Sequence, residues 1–242
     1  MMTKIIQHHS DSQLRRHPEP VEGRPPKQNA MKANIQLPYD IIDGYRVYDF
    51  KRSLSYLQHM GQKQFGSKFK LHPADRQIIY KLIIYFIRDE ENCRKYGLDL
   101  QKGVLLNGPV GSGKTTLLNL MRYFTYPDHH YVIKTTRDVA AEFNMDGYQV
   151  ILKYGKTHKK IYCFDDLGVE NNMKYYGTEC NTISEILLQR YDLMISEGTI
   201  THATTNLNAE ELEKLYGNRV RSRMREMFNL ISFARLSEDK RR

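Results

Sequence analysis

Apolar residues first recur strongly at helical spacing after His72. Ile79, Ile83 and Ile87 repeat at every fourth position, with Ile78, Leu82 and Phe86 as the neighbouring stripe. The pattern predicts a helix opened by His72-Pro73-Ala74-Asp75, with a broad apolar face. A weaker stripe, Phe50, Leu54, Leu57 and Met60, predicts an earlier helix between Asp49 and Phe65. After Tyr96-Gly97-Leu98 the texture changes. Short apolar runs suited to buried strands, at 102–107, 131–135, 161–164, 199–205 and 228–233, alternate with longer segments of helical period. The predicted helices cover 114–124, 137–145 with Val139, Ala140 and Phe143 toward the sheet, and a long stretch carrying Ile186, Leu187, Arg190, Tyr191 and Met194. The long helix starts at a Thr182-to-Glu185 capping box, at Asn181, or near Thr178. Another begins at Asn208, is broken by Tyr216-Gly217, and resumes as an arginine-rich helix over 218–227.

Alternating strands and helices of this kind predict an α/β fold, a mainly parallel central sheet flanked by helices on both faces. The expected organisation is a disordered tail over 1–33, a small helical partner-binding lobe over 34–97, an α/β core over 98–234 and a basic tail over 235–242. Pro18, Pro20, Pro25 and Pro26 supply half of the chain's 8 prolines and mark the loose start.

Composition narrows the function only slightly. The 37 Lys and Arg exceed the 28 Asp and Glu by 9, a balance that attracts nucleic acid, ATP or an acidic protein surface alike. Basic residues crowd between Arg219 and Arg242, and again at Lys156, His158, Lys159 and Lys160, where a DNA-facing surface and a solvated turn both fit. Cys93, Cys163 and Cys180 form no CxxC pair. They support neither a disulfide framework nor a zinc ribbon, and imply reduced thiols in a cytoplasm. The apolar run over 78–87 falls well short of the ~20 residues that a membrane crossing needs.

The strongest chemical signal follows the strand over 102–107. Gly108-Pro109-Val110-Gly111-Ser112-Gly113-Lys114-Thr115 is a complete GxxxxGKT pattern at a strand-to-helix junction, the setting that a phosphate-binding loop requires. Backbone amides from Val110 to Thr115, with Thr116 beside them, converge on phosphate oxygens. Lys114 reaches the β and γ phosphates of ATP, and Thr115 offers its hydroxyl to Mg2+. A glycine turn that merely joins strand to helix is the bland alternative.

Ile161-Tyr162-Cys163-Phe164 aims Asp165 from a strand expected beside the phosphate-loop strand, where the carboxylate holds Mg2+ directly or through water. Asp166 is the candidate to polarise the attacking water, although Asp-Asp-Leu-Gly could also begin a tight turn. Asn206, after Thr204-Thr205, can offer its amide to the γ phosphate or the lytic water, or serve as a turn residue. The arginines at 219, 221, 223 and 225 alternate. A trans-acting arginine, a solvated helix and a DNA-backbone contact are all compatible with them.

Taken in order, the phosphate loop, Tyr162-Cys163-Phe164-Asp165-Asp166-Leu167-Gly168, Thr204-Thr205-Asn206 and Gly217-Asn218-Arg219-Val220-Arg221-Ser222-Arg223-Met224 resemble bacterial DnaC-type helicase loaders and IstB-type transposition helpers of the AAA+ group. The resemblance spans about 98–233. It implies Asp165 as the Mg-associated acid, Asp166 as the catalytic acid, Asn206 as first sensor and Arg223 as the trans arginine, with Arg219 second. Arg235 is the weak candidate for a second sensor. It also implies self-assembly with shared ATP sites, single- or double-stranded DNA, and a replicative helicase or, in the alternative, a transposase as partner. A small-molecule P-loop kinase is the reading from a different class.

Overall fold

The computed structural model describes residues 4–6, 36–42, 44–157, 160–170, 173–175 and 178–233. The chain divides into two compact units, one ending at Leu71 and one beginning at His72. Arg235, His158, Lys159 and the expected tail over 235–242 lie outside the described residues, as does most of the expected tail over 1–33.

The first unit holds three strands, β1 (Lys4–Ile6), β2 (Tyr39–Ile42) and β3 (Tyr45–Asp49), and the helix α1 (Phe50–Phe65). β3 is the central strand and pairs antiparallel with both others. The expected small helical lobe over 34–97 thus also contains strands. The missed signal is the Asp43-Gly44 pair between two runs of β-forming residues, the residue type that hairpin turns demand. α1 follows the expected stripe. Asp49 caps it by accepting the Arg52 amide at 2.7 Å, Leu57 is wholly buried, and the Arg52 guanidinium clasps Leu37 O, Tyr39 O and Asp40.

The second unit starts with a short 3-10 turn, Pro73–Asp75, then α2 (Arg76–Phe86) and α3 (Glu90–Lys95). The sequence assigned this region to the first lobe, but α2 packs with the α/β core. Its Phe86 ring stacks on Tyr131 at 5.4 Å, and its Tyr85 hydroxyl donates to Lys102 O at 2.6 Å. An apolar stripe shows that a helix is covered, not which element covers it.

The core then runs β4 (Gly103–Asn107), α4 (Lys114–Met121), β5 (Tyr131–Thr135), α5 (Thr136–Asp146), α6 (Tyr148–Leu152) with a π-helical turn over 153–157, and β6 (Ile161–Leu167). A small antiparallel ribbon, β7 (Met173–Tyr175) and β8 (Thr178–Cys180), precedes α7 (Thr182–Glu197), β9 (Thr201–Thr205), α8 (Ala209–Met227) and β10 (Phe228–Ser232). Asn181 is the N-cap of α7, accepting the Ser184 amide. Asn208 and Glu211 close a reciprocal capping box on α8, which holds the entry to that helix.

Five strands form one sheet in the order β10-β4-β9-β6-β5, every pair parallel. Helices cover it, as the alternation required. Tyr162, Phe164 and Ala203 join a core with Val139, Phe143, Ile183, Ile186, Leu187 and Met224. The His202 ring lies instead among Tyr85, Phe86 and Tyr131. Burial pushes its titration down to about 3, so the ring is neutral and its Nδ1 accepts the Val104 amide at 3.1 Å. Arg190 is fully buried too, donating to Thr201 Oγ1 and Ile200 O. No helix among the described residues is long and apolar enough to cross a membrane.

Candidate active site

The expected neighbourhood of strands needs one correction. β6 does not lie beside β4, because β9 separates them. The strand bearing Thr204 and Thr205 thus sits between the phosphate loop and the acids, its hydroxyls bonded to the acid strand and its Thr205 carbonyl to the loop.

At the end of β4 the chain turns through Gly108 to Gly113. Gly111 and Gly113 have φ of 80° and 90°, left-handed values that a side chain resists, and Gly113 is the N-cap of α4. The first amides of α4 have no acceptor within the helix, and this is the end of a helix at which anions bind. Gly108 N–H donates to Thr205 O at 3.2 Å, tying the loop to β9. Pro109, Val110 and Ser112 complete the turn, with the Val110 side chain exposed and Ser112 buried. The Lys114 ammonium folds back over the loop, reaching Gly108 O at 2.8 Å and Pro109 O at 3.1 Å. It is buried by the cradle it spans.

Thr115 Oγ1 donates to the Asp165 carboxylate at 2.9 and 3.0 Å. Asp165 and Asp166 do not end the strand, as the sequence suggested. They form a bulge inside it. Phe164 is opposite Ala203 and Leu167 opposite Thr205, so two residues of β6 face the single Thr204. A bulge re-aims side chains at the edge of a site, and here the extra residue is Asp166, whose φ is +59°. Asp is among the few side chains that tolerate this region, though not without strain.

Thr204 holds the bulge. Its hydroxyl accepts the Asp166 amide at 2.8 Å and donates to Asp165 Oδ1 at 2.7 Å. On the other side Thr136 Oγ1 donates to Asp166 O at 2.8 Å. Neither hydroxyl was assigned a role from sequence. A usable signal existed: Thr201-His202-Ala203-Thr204-Thr205 reads as a buried strand yet is mostly polar, and buried polar groups need bonded partners. Burial pushes the Asp165 carboxyl above its usual range and Asp166 adds to this. The Thr204 and Thr115 hydrogen bonds and the Lys114 charge oppose it.

Asn206 follows directly on β9. Its Oδ1 is buried and, among the described residues, without a hydrogen-bond partner, an arrangement native proteins rarely leave without a purpose. Arg223 stands on the flank of α8. Its guanidinium lies 4.4 Å from the Tyr191 ring centre and reaches the Tyr191 hydroxyl at 3.3 Å and Glu226 at 3.4 Å. Arg219 is exposed. Within one chain, then, Lys114, Thr115, Asp165 and Asp166 are brought together, while Arg223 is held on the outside of its helix by Tyr191 and Glu226.

The donor set fits Mg-ATP. A hydroxyl and a carboxylate already bonded to each other are hard oxygen ligands of the kind Mg2+ prefers, and they face a lysine-bearing nest of amides. Replacing Lys114 by Ala removes the only charged donor of that nest. It is expected to weaken ATP binding roughly 10- to 150-fold, the worth of a hydrogen bond to a charged group. Titration with a fluorescent ATP analogue measures this, and unchanged affinity would exclude Lys114 from phosphate contact.

No protein-family model matches the chain, and no curated protein does. Among solved structures the chain is similar to the crystal structure of DnaI, at 20% identity and a TM-score of 0.48, over 71% of this chain and 88% of that one. It is similar also to the DnaC helicase loader, at 16% identity and 0.47, over 69% and 94%. A third likeness is to AMPPCP-bound DnaA from Aquifex aeolicus, at 15% identity and 0.45, over 72% of this chain and 51% of that one. All three superpose below a TM-score of 0.5, and the geometry of the site carries the functional reading.

Proposed function

We propose that this chain is an AAA+ ATPase of the helicase-loader type, which uses ATP binding and hydrolysis to control its assembly with a replicative helicase or on DNA. One observation carries the reading: the hydrogen bond from Thr115 Oγ1 to Asp165. It joins the phosphate loop to an acid from a strand two places away in the sheet, the junction at which a nucleotide's divalent ion is held.

In this reading Lys114 and the amides of 110–116 bind the triphosphate. Thr115 and Asp165 would hold Mg2+, which would supply positive charge to the triphosphate. Asp166 orients the attacking water and takes its proton. Asn206 offers its amide to the γ phosphate or the lytic water, and its Oδ1 is buried and, among the described residues, without a hydrogen-bond partner. Arg223 serves the site of a neighbouring subunit, where it neutralises charge that develops on the phosphoryl group. The excess of basic residues gives DNA an electrostatic path to the assembly.

The test is ATP-dependent co-purification with the Asp166→Asn chain, which prolongs the bound state, with and without nuclease. Recovery of a hexameric helicase that survives nuclease supports the loader reading. A transposase recovered in its place assigns the chain to the IstB-like alternative. A phosphorylated small-molecule acceptor, with little hydrolysis in its absence, makes it a kinase.

A further inference from the structure

Glu170 lies in the loop that leaves β6, and both of its carboxylate oxygens are engaged. Oε2 accepts the Gly168 amide at 3.0 Å, and Oε1 accepts the phenol of Tyr216. Tyr216 is buried and stands immediately before Gly217, whose φ of 82° and ψ of 160° break α8 into two helical pieces. The same loop meets the first piece elsewhere. A Cβ placed on Gly168 would stand 2.2 Å from Leu207 Cδ1 and 3.4 Å from Leu215 Cδ2. Past the ribbon, Asn181 Nδ2 donates to Leu215 O at 3.1 Å. Among the described residues, the segment after the acids therefore meets the first piece of α8 from its entry at Leu207 to its end at Tyr216.

The second piece carries the four arginines. Val220, Met224 and Met227 are buried, and at 3.6 residues per turn Arg219 and Arg223 share one flank of that face while Arg221 and Arg225 share the other. Any rotation at Gly217 moves Arg223 in proportion to its distance from the break, about 9 Å along the axis at ~1.5 Å per residue.

We propose that Glu170 and Tyr216 form a strut that transmits the state of the nucleotide site to the arginine-bearing piece of α8, with Gly217 as the hinge. The inference rests on the nucleotide-site reading above. Both are positioning residues, and neither touches the reacting atoms. Asp166 and Glu170 belong to one short stretch of backbone whose Gly168 amide is bonded to Glu170, so a shift of the acids when the site fills is passed through Gly168 to Glu170. The phenol is a dependable donor, because burial and the Glu170 charge both push its ionisation upward. A hydrogen bond out of water is directional and costly to leave half-made, so Tyr216 follows Glu170 rather than parting from it. Gly217, without a Cβ, changes its backbone angles more readily than any other residue, which suits it to the hinge position.

The experiment measures amide hydrogen exchange across 218–227 in the full chain, with and without a non-hydrolysable ATP analogue, alongside affinity for a fluorescent analogue. In the native chain, nucleotide is expected to change exchange across 218–227 roughly fivefold, the scale set by one net hydrogen bond. Tyr216→Phe, which keeps the ring but removes the hydroxyl, should hold affinity within about twofold and lose that change. Glu170→Gln keeps one acceptor oxygen, enough for Tyr216 but not for the Gly168 amide as well, and should retain only part of that change. A response across 218–227 that persists in nucleotide-bound Tyr216→Phe overturns the strut. So does a native chain that binds nucleotide without responding there, a measurement that needs no variant. A native chain that binds no nucleotide overturns the site reading itself, and the strut with it.

Discussion

Asp166→Asn is expected to bind ATP with near-native affinity and to hydrolyse it ~10²-fold or more slowly, the usual worth of a positioned general base. Asn is enriched in the left-handed region, so the amide can occupy a backbone with φ +59° as the acid does. The bonds that fix this residue run to its backbone, from Asp166 N–H to Thr204 and from Thr136 to Asp166 O, so they survive the exchange. What is lost is an oxygen able to take a proton. Single-turnover phosphate release, set against equilibrium binding of a fluorescent analogue, separates the two effects. Hydrolysis within about threefold of native would remove Asp166 from the chemistry. Asp166→Ala makes a useful contrast, since a non-Gly residue without a local polar group costs about 1–2 kcal/mol in this region. That variant should lose stability as well as turnover.

Arg223→Ala is expected to keep nucleotide affinity within about threefold while losing ~10³-fold in hydrolysis, the scale of an arginine acting on a phosphoryl group. In the free chain the guanidinium rests against Tyr191 and Glu226, and both the arginine and the glutamate are substantially exposed. Exposed pairs of this sort contribute little to folding, so the variant should melt with the native chain. Mixing it with Asp166→Asn tests where the arginine acts. In mixed assemblies some sites regain both an intact Asp166 and a neighbour's intact Arg223, and turnover should return as the proportions approach equality. No recovery at any ratio, with assembly intact, would place Arg223 outside a shared site.

Much of this site is legible along the chain. The phosphate loop needs only neighbouring residues: glycines where the turn becomes left-handed, then lysine and threonine where the helix begins. The caps at Asn181 and Asn208 are local in the same sense, each satisfying amides two or three residues on. Strand and helix periods placed all five strands of the large sheet within a few residues, the first and third because burial leaves near-continuous apolar runs. Thr204 escaped notice because its partner, Asp165, lies 39 residues away. Tyr216 escaped for a similar reason, with Glu170 46 residues upstream.

Local spacing thus settled the α/β class and marked the loop over 108–115 and the acids at 165 and 166 as candidates, since each is read from residues within a turn or a short strand. Tertiary structure alone decided that β9 enters between β4 and β6, that the acids sit in a bulge pinned by a threonine, and that α2 joins the core. Those outcomes come from competition among segments for the same buried faces and ladder bonds, and no stretch of chain records which competitor wins.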